Sequence, residues 1–217
     1  MRIAPSILSA DFSRLASEIE RVERAGAHQL HVDVMDGHYV PNLTFGPMVV
    51  EAMRRVTRLP LDVHLMIEDA DRWIDPFVDS GADMVAFHPE SVYHPHLVLT
   101  SIQKRGRKAG LALNPGLSLS SVEELLPLAD YAIVMSVNPG WGGQDFIEGS
   151  FERAENLRRF ARENHLTLDI EIDGGMNVER VPRAALAGID VVIAGSAIFK
   201  AKDPEAVVRQ MLSAVPV

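Results

Sequence analysis

The chain has 217 residues, 47% hydrophobic and 24% charged, enough to bury a core as one domain over residues 1–217 without cross-links. It has no cysteine, which excludes disulfides, zinc–thiolate sites and cysteine nucleophiles and leaves His, Asp and Glu to hold any transition metal. Thirty acidic residues against 21 basic ones give a formal net charge of -9, a balance that favours neither nucleic acid nor an anionic membrane as partner.

Short apolar runs alternate with longer amphipathic ones along the chain. The start, Met1–Phe12, lacks the basic and long apolar segments of a secretory signal. No run reaches the roughly 18 apolar residues that span a bilayer, so the chain reads as cytoplasmic. A first strand over Arg2–Leu8 precedes a helix over Ser13–Ala25 that stops before Gly26. The second strand, His28–Met35, leads through Asp36–Gly46 to a helix over Pro47–Val56; that turn-rich connection fits either a flexible cover or a fixed link. Strand three is Leu61–Met66, with a helix starting near Asp71, and strand four is Asp83–Phe87, with a helix over His96–Arg107. Strand five, Gly110–Asn114, is followed by a helix over Ser120–Leu126, and strand six, Tyr131–Met135, by one over Phe151–Asn164. Strand seven, Thr167–Ile172, precedes a helix over Val178–Ala187; strand eight, Asp190–Ala194, precedes a last helix over Asp203–Ala214.

Eight strand–helix units in order point to parallel pairing and an α/β fold, a single (β/α)8 barrel at the small end of its size range. An open doubly wound sheet usually has a glycine-rich turn after strand one, where this chain has Ser9-Ala10-Asp11-Phe12. In such a barrel chemistry gathers at the carboxyl ends of the strands.

Strand two reads Leu30-His31-Val32-Asp33-Val34-Met35, so alternation turns the apolar residues towards the helices and His31, Asp33 and Met35 inwards. Strand three places Asp62, His64 and Met66 on one face, and Asp173 stands at the end of strand seven. A carboxylate inside a narrow barrel needs compensation. The four lysines, Lys104, Lys108, Lys200 and Lys202, are expected on helices or after strand eight, so none supplies it. A divalent cation held by His31, Asp33, His64 and Asp173 would; such nitrogen and oxygen donors suit Zn2+, Mn2+, Fe2+ or Co2+. Either histidine alone reads as a hydrogen-bonded core residue, and it is their convergence with two aspartates that favours a metal.

Glycine-rich segments follow three strands: Asn138-Pro139-Gly140-Trp141-Gly142-Gly143-Gln144, Gly174-Gly175-Met176 and Gly195-Ser196. Glycine lets backbone approach a ligand, and barrels often bind phosphate after strands seven and eight, beside a short extra helix that Ser196–Phe199 would form.

These residues assembled, the chain resembles the ribulose-phosphate 3-epimerase family almost end to end. The resemblance is carried by Ala4-Pro5-Ser6-Ile7-Leu8-Ser9-Ala10-Asp11-Phe12, His31-Val32-Asp33-Val34-Met35-Asp36-Gly37, Pro41-Asn42, Asp62-Val63-His64-Leu65-Met66, the Asn138–Gln144 segment, Asp173-Gly174-Gly175 and Ala194-Gly195-Ser196. Trp141 replaces a usual Phe and Met176 a usual β-branched residue, both mild departures. The resemblance implies a barrel of the ribulose-phosphate-binding type and interconversion of D-ribulose 5-phosphate and D-xylulose 5-phosphate in the pentose phosphate pathway. It also implies one divalent cation per subunit on His31, Asp33, His64 and Asp173, with Zn2+ ahead of Fe2+, Mn2+ and Co2+. It makes Asp33 the proton acceptor and Asp173 the donor, puts substrate contacts at Ser6 and His64, and puts phosphate contacts at Gly140, Trp141, Gly142, Gly143, Gly174, Gly175, Gly195 and Ser196. Family members are commonly homo-oligomers, dimers or hexamers.

Epimerisation at C3 needs a proton taken from one face and returned to the other, which Asp33 and Asp173, on well-separated parts of the rim, could do across a substrate. A nearby cation would stabilise the enediolate charge. Met35, Met66 and Met135 are either core filler or a polarisable wall. An allulose 6-phosphate 3-epimerase would use the same parts, and a non-catalytic sugar-phosphate-binding barrel would keep the glycine loops without needing two opposed acids. Decarboxylation of the orotidine-phosphate kind needs an Asp-x-Lys-x-x-Asp on the third strand, whose lysine and second aspartate are missing here, and Schiff-base aldol chemistry needs a strand-end lysine, of which none is expected.

Overall fold

The computed structural model describes residues 1–215. Eight parallel strands succeed one another: β1 (Arg2–Pro5), β2 (Leu30–Met35), β3 (Leu61–Met66), β4 (Met84–Phe87), β5 (Lys108–Leu113), β6 (Tyr131–Met135), β7 (Asp169–Asp173) and β8 (Val191–Ala194). They pair in the order β1-β8-β7-β6-β5-β4-β3-β2. The ring closes between the two ends of that order, where Ser6 bridges His31 in parallel and the His28 N–H donates to the Ile3 carbonyl over 3.0 Å. Crossover helices α1 (Leu15–Arg24), α2 (Pro47–Val56), α3 (Ile74–Asp79), α4 (Pro95–Lys104), α5 (Gly149–Glu163) and α6 (Val181–Leu186) surround it, with α7 (Ser196–Phe199) and α8 (Pro204–Ser213) after β8. Among the described residues no helix is long and apolar enough to cross a membrane.

Period-two alternation sends apolar side chains to both faces of the barrel. Outward residues such as Leu30, Val32, Val34, Leu61, Val63 and Leu65 pack against the helices in one cluster. Ala4, Met84, Ala86, Ala112, Ile133 and Val191 belong to a second cluster that fills the barrel interior. Near the carboxyl rim the inward positions are a mix of His, Asp and Met side chains, and those positions make the site.

The eight-unit reading holds, and the bounds of α2, β3 and β6 are as expected. One helix fails: Ser120–Leu126 is not a helix, and the β5–β6 connection carries only 3-10 turns at Leu119–Ser121 and Leu126–Leu128. The serines there bond locally, Ser118 Oγ with Ser120 Oγ at 2.7 Å and Ser121 Oγ to the Ser118 carbonyl at 2.6 Å, in competition with a helical ladder. Pro127, which lacks an N–H, then prevents extension. The first strand ends at Pro5 rather than Leu8, the chain turning through a 3-10 helix at Ile7–Ser9. Lys108 opens β5 instead of ending a helix; it is exposed at the amino end of the strand, away from the site, with Nζ 3.9 Å from Asp169.

Candidate active site

At the carboxyl rim β2 contributes His31 and Asp33, β3 His64 and β7 Asp173, and one donor atom from each lies within 4.8 Å of the others. The in-register pairing of β2 with β3 sets Asp33 opposite His64 and His31 opposite Asp62. Asp33 Oδ1 faces both rings, 3.2 Å from His31 Nε2 and 3.3 Å from His64 Nδ1. Its other oxygen accepts from the Ser6 hydroxyl at 2.7 Å. Asp33 and Asp173 come from separated strands, yet their carboxylates converge here rather than standing far apart across the rim.

Each ring is also held from behind. His31 Nδ1–H donates to Asp62 Oδ2 at 2.7 Å, and Tyr131 Oη–H donates to Asp62 Oδ1 at 2.6 Å. Below them Gln29 Nε2 donates to Glu171 Oε1 at 3.2 Å. His64 Nε2 lies 2.9 Å from His88 Nε2. All of these side chains are buried.

Electrostatics follows from that packing. Burial alone would raise the Asp33 carboxyl, but the nearby His31 charge, and then His64, hold it far below the usual range. For Asp173 burial and the Asp33 charge act together and push the carboxyl up to about 6. Burial would lower His31, yet Asp33 and Asp62 carry it well above the ordinary imidazole value. His88 is driven well below it by burial and by His64. Burial and the Asp62 charge raise both Tyr131 and Glu171.

The donors fit a divalent cation. Two imidazole nitrogens and two carboxylate oxygens suit a first-row metal. The His31 Nε2 atom is buried at the centre without a hydrogen-bond partner. No Lys or Arg stands among the buried polar residues described, so no permanently charged cation faces the two carboxylates.

Above the ring opens a cavity of about 550 Å3, solvent at its mouth included. Ser6, Asp33 and Asp173 line it at the floor, as do Met35, Met66 and Met135. Gly140, Trp141, Gly142 and Gly143 line it from the loop after β6, Gly174 and Gly175 from the loop after β7, and Gly195 and Ser196 from the end of β8. His31 and His64 are fully buried and do not line it; they reach the centre from beside Asp33. Gly174 shows why a side chain is excluded: its φ is +115°, and a Cβ would stand 2.6 Å from Val137 Cγ2 and 2.9 Å from the Val137 nitrogen. Gln144 Nε2 braces the loop after β6 by donating to the Asn138 and Trp141 carbonyls, at 2.6 and 2.8 Å. Trp141 itself is half exposed.

Asp62, Tyr131, Glu171 and His88 were not singled out as site residues by sequence reading. A signal existed for two of them: Asp62 and Glu171 each lie two positions before an assigned ligand, on the same strand face. His88, at a strand end, reads as a turn residue near the substrate, but its partner comes from another strand, and Tyr131 had no signal for the same reason.

Fold and site together define a (β/α)8 barrel whose carboxyl rim carries a cluster of two histidines and two aspartates that could hold a divalent cation. Residues 2–199 match the model of the Ribulose-phosphate 3 epimerase family. The chain belongs to that family of isomerase-class enzymes. It is 45% identical to the ribulose-phosphate 3-epimerase of Bacillus subtilis (strain 168), over 97% of this chain and 98% of that one. It is 47% identical to that of Aquifex aeolicus (strain VF5), over 99% of each chain, and 46% identical to the chloroplastic ribulose-5-phosphate-3-epimerase of Arabidopsis thaliana, over 93% of this chain and 72% of that one. Among solved structures, a 3-hexulose-6-phosphate synthase superposes with a TM-score of 0.77 over 100% of each chain, at 18% identity, a likeness of fold alone.

Proposed function

We infer that the chain interconverts D-ribulose 5-phosphate and D-xylulose 5-phosphate by moving one proton at C3. The observation that carries this is the meeting of two carboxylates from separate strands, Asp33 of β2 and Asp173 of β7, at one cavity floor. A substrate lying over the floor presents one face of C3 to each. Asp33 takes the C3 proton, the electron pair moving through C2 to the carbonyl oxygen to give an enediolate. Asp173 returns a proton to the opposite face of C3 and the C2 carbonyl re-forms. In the reverse direction the two exchange roles, so the pair titrates as a unit.

His31, Asp33, His64 and Asp173 would hold the divalent cation, Zn2+ ahead of Fe2+, Mn2+ and Co2+. A cation there supplies positive charge against the negative charge that develops on the substrate oxygens. Ser6 keeps Asp33 aimed, and Met35, Met66 and Met135 give the reacting carbon a water-poor wall. The phosphate sits against backbone N–H groups of the loops carrying Gly140–Gly143, Gly174–Gly175 and Gly195–Ser196, whose missing side chains let the backbone approach. With this reading go one domain over 1–217, a cytoplasmic location, a place in the pentose phosphate pathway and a homo-oligomeric assembly. A coupled assay on D-ribulose 5-phosphate, after chelation and again after adding each metal singly, tests it. Turnover lost to the chelator and restored by a divalent cation is expected; full turnover in the stripped protein would refute the cation's part.

A further inference from the structure

The two ring ligands are backed by unlike partners. Behind His31 stands a carboxylate, Asp62, which only accepts, so the His31 proton sits on Nδ1 and Nε2 faces the centre. Behind His64 stands another imidazole, with the two Nε2 atoms 2.9 Å apart. Ring nitrogens at that distance share one proton: one donates and the other accepts. The His64 atom that faces the centre is Nδ1. Ligation needs its lone pair, which leaves the His64 proton on Nε2 and makes His88 the acceptor. His88 then carries its own proton on Nδ1, the buried atom that lacks a hydrogen-bond partner and lies 3.8 Å from Glu90 Oε1.

The surroundings of His88 are built to hold that arrangement. The ring is 0% exposed at the end of β4, and the Tyr39 ring lies over it with centroids 4.9 Å apart. Glu90 is itself fixed, its Oε1 accepting from Tyr39 Oη at 3.0 Å and from Asn114 Nδ2 at 2.6 Å. Three different segments, the loop after β2, the end of β4 and the end of β5, thus converge behind one ring of the centre.

We propose that His88 is a positioning residue, a neutral acceptor that fixes His64 in the tautomer whose Nδ1 lone pair faces the cation. This rests on the cation reading above. It gives the two ring ligands opposite tautomers, Nδ1–H in His31 and Nε2–H in His64, and different donor strengths, because a carboxylate partner raises imidazole basicity more than a neutral ring does.

The test is Zn2+ affinity, measured by competition with a chromophoric chelator, in the unaltered chain, His88→Phe and His88→Gln. Phenylalanine keeps a buried ring but offers no acceptor, whereas the glutamine carbonyl can accept from His64 Nε2–H. His88→Phe should bind Zn2+ about 10- to 100-fold more weakly, with His88→Gln restored to within a few-fold of the unaltered chain. In the Zn2+-loaded, 15N-histidine-labelled unaltered chain, a scalar coupling across Nε2–H···Nε2, with the His88 proton on Nδ1, is expected. Equal affinity in all three proteins, or a loaded His88 protonated on Nε2, would overturn the proposal. If the phenylalanine variant does not fold, the glutamine variant and the spectrum decide. No Zn2+ uptake by the unaltered chain defeats the cation reading itself; tight uptake by all three defeats the role of His88 alone.

Discussion

The Ser6 hydroxyl donates to Asp33 Oδ2 at 2.7 Å, so the proposed general base is held by the residue that closes the barrel. Ser6 follows β1 and bridges His31 across the β1–β2 seam. The residue that completes the ring through its backbone therefore also holds Asp33 through its side chain.

Ser6→Ala should lower kcat roughly 10- to 100-fold, since a hydrogen bond to a charged group contributes about 1.5–3 kcal/mol. The bridge is a backbone contact and survives the change, so the melting temperature should move little. Steady-state kinetics beside a thermal melt checks both.

Asp33→Asn and Asp173→Asn should each reduce kcat by about 10²- to 10⁴-fold, the usual range for losing a positioned acid or base. Each variant should still unfold cooperatively. Near-normal turnover in either would remove that residue from its role.

Cation uptake should tighten as pH rises. In the metal-free chain His31 is raised and holds a proton on Nε2 that a cation must displace. Asp173, raised to about 6, adds a second displaced proton only below that value. Asp33 is depressed and adds none. Apparent Zn2+ affinity measured between about pH 5 and 8 should climb throughout, more steeply below about 6. Buffers of different ionisation enthalpy in calorimetry count the protons released.

Gly110→Ala should destabilise the protein by about 3 kcal/mol and weaken Zn2+ binding as well. A Cβ there would stand 2.3 Å from Tyr131 Cζ, and the ring cannot swing aside while its hydroxyl donates to Asp62. Chemical denaturation and a Zn2+ titration measure the two effects.

Periodicity made the barrel legible, because eight apolar runs separated by amphipathic ones leave few other packings. The same alternation exposed His31, Asp33 and His64, whose inward direction follows from position parity alone. The failed helix at Ser120–Leu126 had an apolar pattern, but serine side chains bonding locally and Pro127 outweighed it. The support behind the centre was illegible for a different reason. Tyr131 of β6 reaches Asp62 of β3 across the barrel, and His88 meets His64 by the register of β4 on β3; no spacing along one strand encodes either contact.

Proton transfer at C3 between Asp33 and Asp173 is tested most directly by incubating each pentulose phosphate in deuterium oxide and locating the label by NMR. Deuterium should enter C3 of both isomers at a rate matching turnover, with none at C1. Label at C1 without label at C3, or interconversion with no exchange from solvent at all, would contradict it.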